Sequence, residues 1–348
     1  MATQGIHIGD VAIAPGESVT VELPMASLYS HAPMTLPVQI VRGMRDGPRL
    51  FVSAALHGDE INGVEIIRRL LRLPLLKKLR GTLLAIPIVN VYGFVSRSRY
   101  LPDRRDLNRS FPGSERGSMA ARLAELFLKE IVDKCQYGID LHTGAVHREN
   151  LPQIRANLDD PETARIARAF HVPVLLNSNV RDGSLRQVGA DRGIPILLYE
   201  AGEALRFDEH SIRAGVKGII AVMRELGMLP AASRARKPTE PLVARASTWV
   251  RAGGSGILRM TAALGSRVRK GEIIGVIADP FGQLELDVTA NAAGIIIGRT
   301  NLPLVNEGEG LFHIARFEST RLAENAVEAF QADDLPIHPT LDDEPPIV

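Results

Sequence analysis

One cysteine, one tryptophan and a formal net charge of +1 among 348 residues are the scarcities that bound this chain. The lone Cys135 excludes an internal disulfide framework and a metal site built from several cysteines. Its place at the end of a predicted helix reads as a packed thiol rather than a nucleophile. A charge balance this near to neutral gives no attraction to nucleic acid or to an anionic membrane surface. No stretch reaches the roughly 18 uninterrupted apolar residues that a membrane helix needs. The amino terminus, MATQGIHIGDVAIAPGES, lacks a basic segment followed by an apolar one, so a cytoplasmic protein without a secretory signal is expected. Hydrophobic residues at 45% and charged residues at 23% are the balance of an ordinary folded protein, and the length exceeds what a single core usually fills. Two domains are therefore expected.

The most informative stretch is Arg49 to Glu65, RLFVSAALHGDEINGVE. Leu50 to Leu56 is apolar but for Ser53, which suits a strand buried on both faces. His57, Gly58, Asp59 and Glu60 break the run, and Ile61, Val64, Ile66, Ile67, Leu70 and Leu71 follow with the spacing of an amphipathic helix. A polar tetrad at the carboxyl end of a buried parallel strand lies where open α/β sheets hold their ligands. His57 and Glu60, three apart across that turn, offer an imidazole and a carboxylate to a single ion. Catalytic zinc takes three such ligands and keeps an open position. His142 in IDLHTG is the best candidate for the third, because Tyr137 to Leu141 also reads as a short buried strand ending in a polar turn. Alone, an H-x-x-E or a strand-end histidine is commonplace; the combination with DLNRSFPG and YEAGE further along carries the meaning.

Around this stretch strands and helices alternate. Residues 10–43 show period-2 patterning, in Val19, Val21 and Leu23 and again in Val38 and Ile40, and predict an antiparallel strand pair joined by the loop HAPMTLP, with His31 on the surface. A second buried strand runs from Leu83 to Asn90. It opens into VYGFVSRSRYLPDRRDLNRSFPG, about twenty residues without regular pattern, a length that a compact domain carries chiefly where it serves a site. Helix 117–134, strand 137–141, a loop over 143–160, helix 161–170, strand 172–177, helix 184–192, strand Ile194 to Tyr199 and helix 208–227 follow. Such alternation predicts an α/β domain over 1–229, with a central mixed, mostly parallel sheet and helices on both faces. Glu200 ends the last of these strands, and Glu203 lies three beyond. PAASRARKPTE, 230–240, reads as a linker. From 241 to 317 glycines punctuate short apolar runs, the pattern of a small all-β barrel-sandwich C-terminal domain. Residues 318–348 hold one helix near 319–331 and a Pro-rich acidic tail.

Taken together, HGDE, DLNR with SFPG, DLHTG and the strand-end glutamate of YEAG resemble the succinylglutamate desuccinylase and aspartoacylase family, relatives of the zinc carboxypeptidases, over roughly residues 35–228. The resemblance implies a zinc carboxypeptidase-like fold, one Zn2+ per chain, and hydrolysis of the amide bond of a small, anionic, carboxylate-bearing N-acyl amino acid by metal-activated water. By the same resemblance His57, Glu60 and His142 match the metal ligands, and Asn108 and Arg109 the pair that holds a substrate carboxylate. Arg99 resembles an arginine that polarises the scissile carbonyl, and Glu200 matches the catalytic glutamate, with Glu203 the competing choice. Asp140 reads either as an orienting partner of a ligand histidine or as a surface carboxylate. Residues 241–317 resemble the biotinyl and lipoyl carrier fold, yet the matching hairpin tip DPFGQ has no lysine. A structural or oligomer-forming module without an attached cofactor is therefore expected, and with it a homo-oligomer. A metallocarboxypeptidase removing a terminal acidic residue from a short peptide would use the same parts. A metal-free anion-binding protein is a third reading, against which the presence of all three ligands and Glu200 counts.

Overall fold

The computed structural model describes residues 6–178, 182–232 and 241–332. Its organising feature is a sheet of thirteen strands. Arg80–Ile86, Arg45–Ala54, Tyr137–Gly144 and Ile196–Glu203 lie side by side in that order and run parallel. Thr35–Arg42 and Ser18–Pro24 continue the sheet antiparallel beyond Arg80–Ile86. Beyond Ile196–Glu203 comes Arg148–Ala156, antiparallel to it, from which Val174–Asn177 and then Leu242–Ala244 branch in parallel. The sheet is thus mixed, as expected, but it is parallel at its centre and antiparallel towards both margins rather than mostly parallel.

Period-2 alternation assigns each strand residue to a face. Val52, Leu141, Ile154 and Tyr199 stand on one face, beneath the helices Asn62–Leu71, Pro161–Ala169 and Glu209–Glu225. Phe51, Leu84 and Ile196 stand on the other, with the helix Met119–Glu130. Burying each of these large apolar side chains contributes about 1.5–3 kcal/mol, which is what fixes the register against a one-residue slip. Between the apolar positions of the second face a polar row interrupts the core: Ser53, Asp140, His142 and Glu200, on three adjacent strands.

Two segments depart from the patterning. The segment 143–160, expected as a loop, contains the nine-residue strand Arg148–Ala156. Its ladder with Ile196–Glu203 slips by one residue, since Glu200 pairs with Gln153 but Gly202 pairs with Asn150. Pro152 falls inside that bulge, where its missing N–H removes no regular ladder bond. Polar residues and an internal proline are what masked the strand. The stretch expected to be irregular after Asn90 begins with the helix Val91–Ser96, capped by the Asn90 side chain, and includes a 3-10 turn at Leu107–Arg109. Six residues are too few to show a helical period.

The carboxyl-terminal strands do not stand apart from the central sheet. Gly294–Thr300 pairs antiparallel with Arg148–Ala156, and Gly310–Arg316 and Ala246–Arg251 continue outward. A second sheet of Glu285–Thr289, Ile273–Ala278, Gly256–Met260 and Leu304–Val305 shares a core with them through Leu258, Ile274, Ile277, Ile296 and Phe312. The hairpin tip Asp279 to Gln283 is tied by the Asp279 carboxylate, which accepts from the Gln283 N–H at 2.8 Å. Helix Thr320–Ala332 places Ala323 and Val327 against Leu151, Ile295 and Ile297. Most of the expected linker, 233–240, and the expected tail beyond 332 lie outside the described residues. Among the described residues no helix is long and apolar enough to cross a membrane.

Candidate active site

Strand Arg45–Ala54 delivers His57 through a short, constrained turn. Ala55 adopts a left-handed conformation, with φ of 47°, and its carbonyl accepts from the Asn90 N–H. Gly58 follows because a Cβ there would lie 2.0 Å from the Gly93 carbonyl carbon, inside the neighbouring helix backbone. The Glu60 N–H then closes the turn on the His57 carbonyl at 3.1 Å. Glu60 and His57 are so placed on one side of the turn, and both are buried.

Glu60 joins the two histidines. Its Oε1 lies 2.8 Å from His57 Nδ1 and its Oε2 lies 2.7 Å from His142 Nδ1, while the Thr143 N–H donates to Oε2 at 3.1 Å. One potential ligand atom from each of His57, Glu60 and His142 falls within 4.8 Å of the others. The second nitrogen of each ring meets a carboxylate: Asp106 Oδ1 at 3.0 Å from His57 Nε2, and Asp140 Oδ2 at 2.7 Å from His142 Nε2. Ser53 Oγ donates to the other oxygen of Asp140 at 2.8 Å. Asp140 is 1% exposed, so its reading as a surface carboxylate is corrected: it orients His142.

Arg99 completes the cluster. It donates to Glu60 Oε1 at 3.1 Å and to Asp106 Oδ2 at 2.9 and 3.3 Å. Burial opposes charge on His57, His142, Glu60, Asp106 and Arg99, and the neighbours reverse that. For His142, Asp140 and Glu60 outweigh burial and hold the imidazole well above its usual range. For His57, Glu60 and Asp106 do the same, though less. Against burial, the two imidazoles pull Glu60 well below the usual carboxylate range, and His57 with Arg99 lowers Asp106.

The donor set fits a divalent cation. Two imidazole nitrogens and one carboxylate oxygen are ligands that zinc takes readily. Three carboxylates, Glu60, Asp106 and Asp140, against the single Arg99 guanidinium leave a formal excess of two negative charges when both imidazoles are neutral. Carboxylates on the far nitrogens fix ring orientation, the usual outer support of a histidine ligand.

Glu200 is the in-register neighbour of His142 on the adjacent parallel strand, so the two side chains share a face of the sheet. It is 9% exposed; Asn150 Nδ2 donates to its Oε2 at 2.7 Å, and Arg155 Nη1 lies 3.5 Å from its Oε1. Glu203 stands beyond a register shift, paired with Gly144, and accepts from Asn301 Nδ2 at 3.0 Å. Asn108 and Arg109 sit on the 3-10 turn just after Asp106. Asn108 Oδ1 accepts from the Leu185 N–H at 2.9 Å, which ties that turn to the helix Leu185–Asp191, and the exposed Arg109 donates to the Asn108 carbonyl. The residue of DLNR that reaches the histidines is Asp106, which the sequence reading passed over. Asn150 and Arg155 were also missed, because the strand that carries them was read as a loop. Asp106 Oδ1 also caps the 3-10 turn by accepting from the Asn108 N–H at 2.8 Å, and only the fold shows that its other oxygen meets Arg99.

Imidazoles and carboxylates are gathered at the carboxyl ends of parallel strands, where α/β folds hold their ligands. The chain belongs to the succinylglutamate desuccinylase/aspartoacylase family, whose catalytic domain its residues 46–226 match. Members of that family are amide hydrolases, which places this chain among the hydrolases. A curated relative from Halomonas elongata, N-alpha-acetyl-L-2,4-diaminobutyric acid deacetylase, is 26% identical over 294 residues, which are 80% of this chain and 85% of the relative. Among solved structures, succinylglutamate desuccinylase/aspartoacylase from Rhodobacter sphaeroides aligns with a TM-score of 0.77 and 24% identity, covering 86% of this chain and 95% of that one. The product-bound ectoine utilization protein EutE (DoeB) from Ruegeria pomeroyi aligns at 0.80 and 22% identity, over 90% and 99% respectively. These structural likenesses show the fold.

Proposed function

We propose that this protein is a zinc-dependent amidohydrolase that releases the acyl group from a small, carboxylate-bearing N-acyl amino acid. The observation that carries the reading is the convergence of His57, Glu60 and His142, each backed by a further group, on the face of the sheet that Glu200 shares. The acyl-amino-acid class of the substrate is supported by the Halomonas elongata relative, an N-alpha-acetyl-L-2,4-diaminobutyric acid deacetylase.

His57, Glu60 and His142 would hold the ion, with Asp106 and Asp140 orienting the two rings. A bound zinc supplies Lewis acidity, polarising a carbonyl and making water nucleophilic near neutral pH. Glu200 accepts the proton of the attacking water and returns it to the leaving amine, a role worth typically about 10² to 10⁴ in rate. Arg99 spends three donor contacts on Glu60 and Asp106, and a guanidinium with five N–H groups keeps two for a developing oxyanion. Arg109, exposed beside the turn, is the planar fork for a substrate carboxylate.

The test is turnover of a mixed panel of N-acetyl and N-succinyl amino acids and short peptides, read by mass spectrometry. Release of free amino acid from N-acyl substrates, abolished in Glu200→Gln, is the expected result. Cleavage confined to peptides would make the protein a metallocarboxypeptidase, and no cleavage of any member would remove the hydrolase mechanism proposed for this site.

A further inference from the structure

Glu200 does not hang freely beside the histidines. Asn150 Nδ2 holds its Oε2 at 2.7 Å, and the asparagine is itself buried. The bulge at Leu151 and Pro152 sets the distance between Asn150 and Gln153, so that both Asn150 and Arg155 reach the same carboxylate from one strand. The far side of Asn150 is closed by the carboxyl-terminal strand. Gly298 is its ladder partner there, and a Cβ on Gly298 would lie 2.8 Å from Asn150 Oδ1. Contacts on both sides of Asn150 make this mount stiff. Arg299 donates to Glu149 at 3.2 Å, the Asn301 N–H donates to the His147 carbonyl at 2.7 Å, and Asn301 Nδ2 reaches Glu203.

We infer that Asn150 is a positioning residue for Glu200, and that the carboxyl-terminal strand Gly294–Thr300 fixes Asn150 in place through Gly298. The inference rests on the reading of Glu200 as the base. A glutamate has three rotatable bonds, and proton transfer requires its oxygen within about 2.6–3.2 Å of the water it serves. An amide that pins Oε2 directs Oε1, which lies 3.5 Å from Arg155 Nη1, to that work from a single direction. The carboxyl-terminal strands thereby contribute to catalysis through Asn150. Gly298 matters because any larger residue presses on the amide oxygen and turns the donor away from Glu200.

A double-mutant cycle separates positioning from mere filling of space. Wild type, Asn150→Ala, Glu200→Gln and the double variant are compared for kcat and KM on the best substrate of the panel, each with its zinc content and Tm recorded. Asn150→Ala is expected to lower kcat by about 10- to 100-fold with KM changed by less than about threefold. In the Glu200→Gln background the same change is expected to cost less than about twofold, since the group it positions has gone. Gly298→Ala should reproduce part of the kcat loss in the wild-type background and add nothing to Asn150→Ala. It also stands in if Asn150→Ala fails to fold. Equal losses in both backgrounds, or wild-type kcat in Asn150→Ala, would overturn the inference. Wild-type kcat in Glu200→Gln would instead remove Glu200 as the base, and the inference with it, whereas an inactive Glu200→Gln beside a fully active Asn150→Ala would sink the positioning role alone.

Discussion

Glu60 sits between His57 and His142 with an oxygen on each, so neither histidine can move without disturbing the other. Removing one imidazole takes away a ligand atom and leaves two buried carboxylates, Glu60 and Asp140, facing an empty space. His142→Ala is therefore expected to lose zinc and activity together, by metal analysis and turnover; a variant that kept one tightly bound zinc would strike His142 from the ligand set. Glu200→Gln keeps the shape but not the proton acceptor, and should hold wild-type zinc while kcat falls by on the order of 10² or more. Arg109→Ala should raise KM and reduce the preference for carboxylate-bearing substrates, again with zinc unchanged. An undiminished preference would move the clamp elsewhere in the arginine-rich loop. Cys135 provides a control on packing: burial pushes its thiol up to about 12, so alkylating reagents should not label it at neutral pH until the protein unfolds. Rapid labelling of the native protein would contradict the packed-thiol reading. At this scale His57, Glu60 and His142 were legible as candidates because polar residues follow two apolar runs, although His142 lies within the strand Tyr137–Gly144 and not in a turn beyond it. Asp106 was not, because a carboxylate meeting both a histidine and an arginine looks in sequence like an ordinary cap of the turn that follows.

Helix Asn62–Leu71 shows how an element transmits to the site. At Gly63 it rides directly on the two strands that lead into the histidines, and a Cβ there would lie 2.6 Å from Ala54 Cβ and 2.7 Å from Leu141 Cβ. Gly63→Ala is expected to destabilise the fold by about 1–3 kcal/mol through overpacking, and to weaken zinc retention as well, because one displaced strand carries His142 and the other leads into the turn at His57. Thermal denaturation and a competitive chelator titration check the two effects; stability and zinc affinity both at wild-type level would show that the helix can step back freely. The central strands were legible because both their faces are buried and their residues are correspondingly apolar. Arg148–Ala156 was illegible for the opposite reason: Asn150, Gln153 and Arg155 give it a polar face, and its proline marks a bulge rather than an end.

Across the whole molecule, the carboxyl-terminal strands complete the sheet that holds the site. Leu151, Val174 and Leu176 share one apolar cluster with Ala244, Ile295, Ile297, Ala315 and Val327. Heating the full chain should thus give a single cooperative transition, and a chain ending at residue 240 should expose that cluster and aggregate. Two well-separated transitions in calorimetry would show instead that the carboxyl-terminal strands fold as an independent unit. The glycine-punctuated pattern made the short strands legible, but not that Gly294–Thr300 would pair with Arg148–Ala156, since long-range pairing leaves no local mark in a sequence. In the proposed mechanism, amide hydrolysis requires zinc held by His57, Glu60 and His142. The most direct test of that requirement is a titration: protein stripped with a chelator is given zinc in fractional equivalents, and amino acid release from an N-acyl substrate is measured at each step. Activity rising linearly and saturating at one zinc per chain is the expected result, whereas full activity in the stripped protein, or none after zinc is restored, would contradict the account.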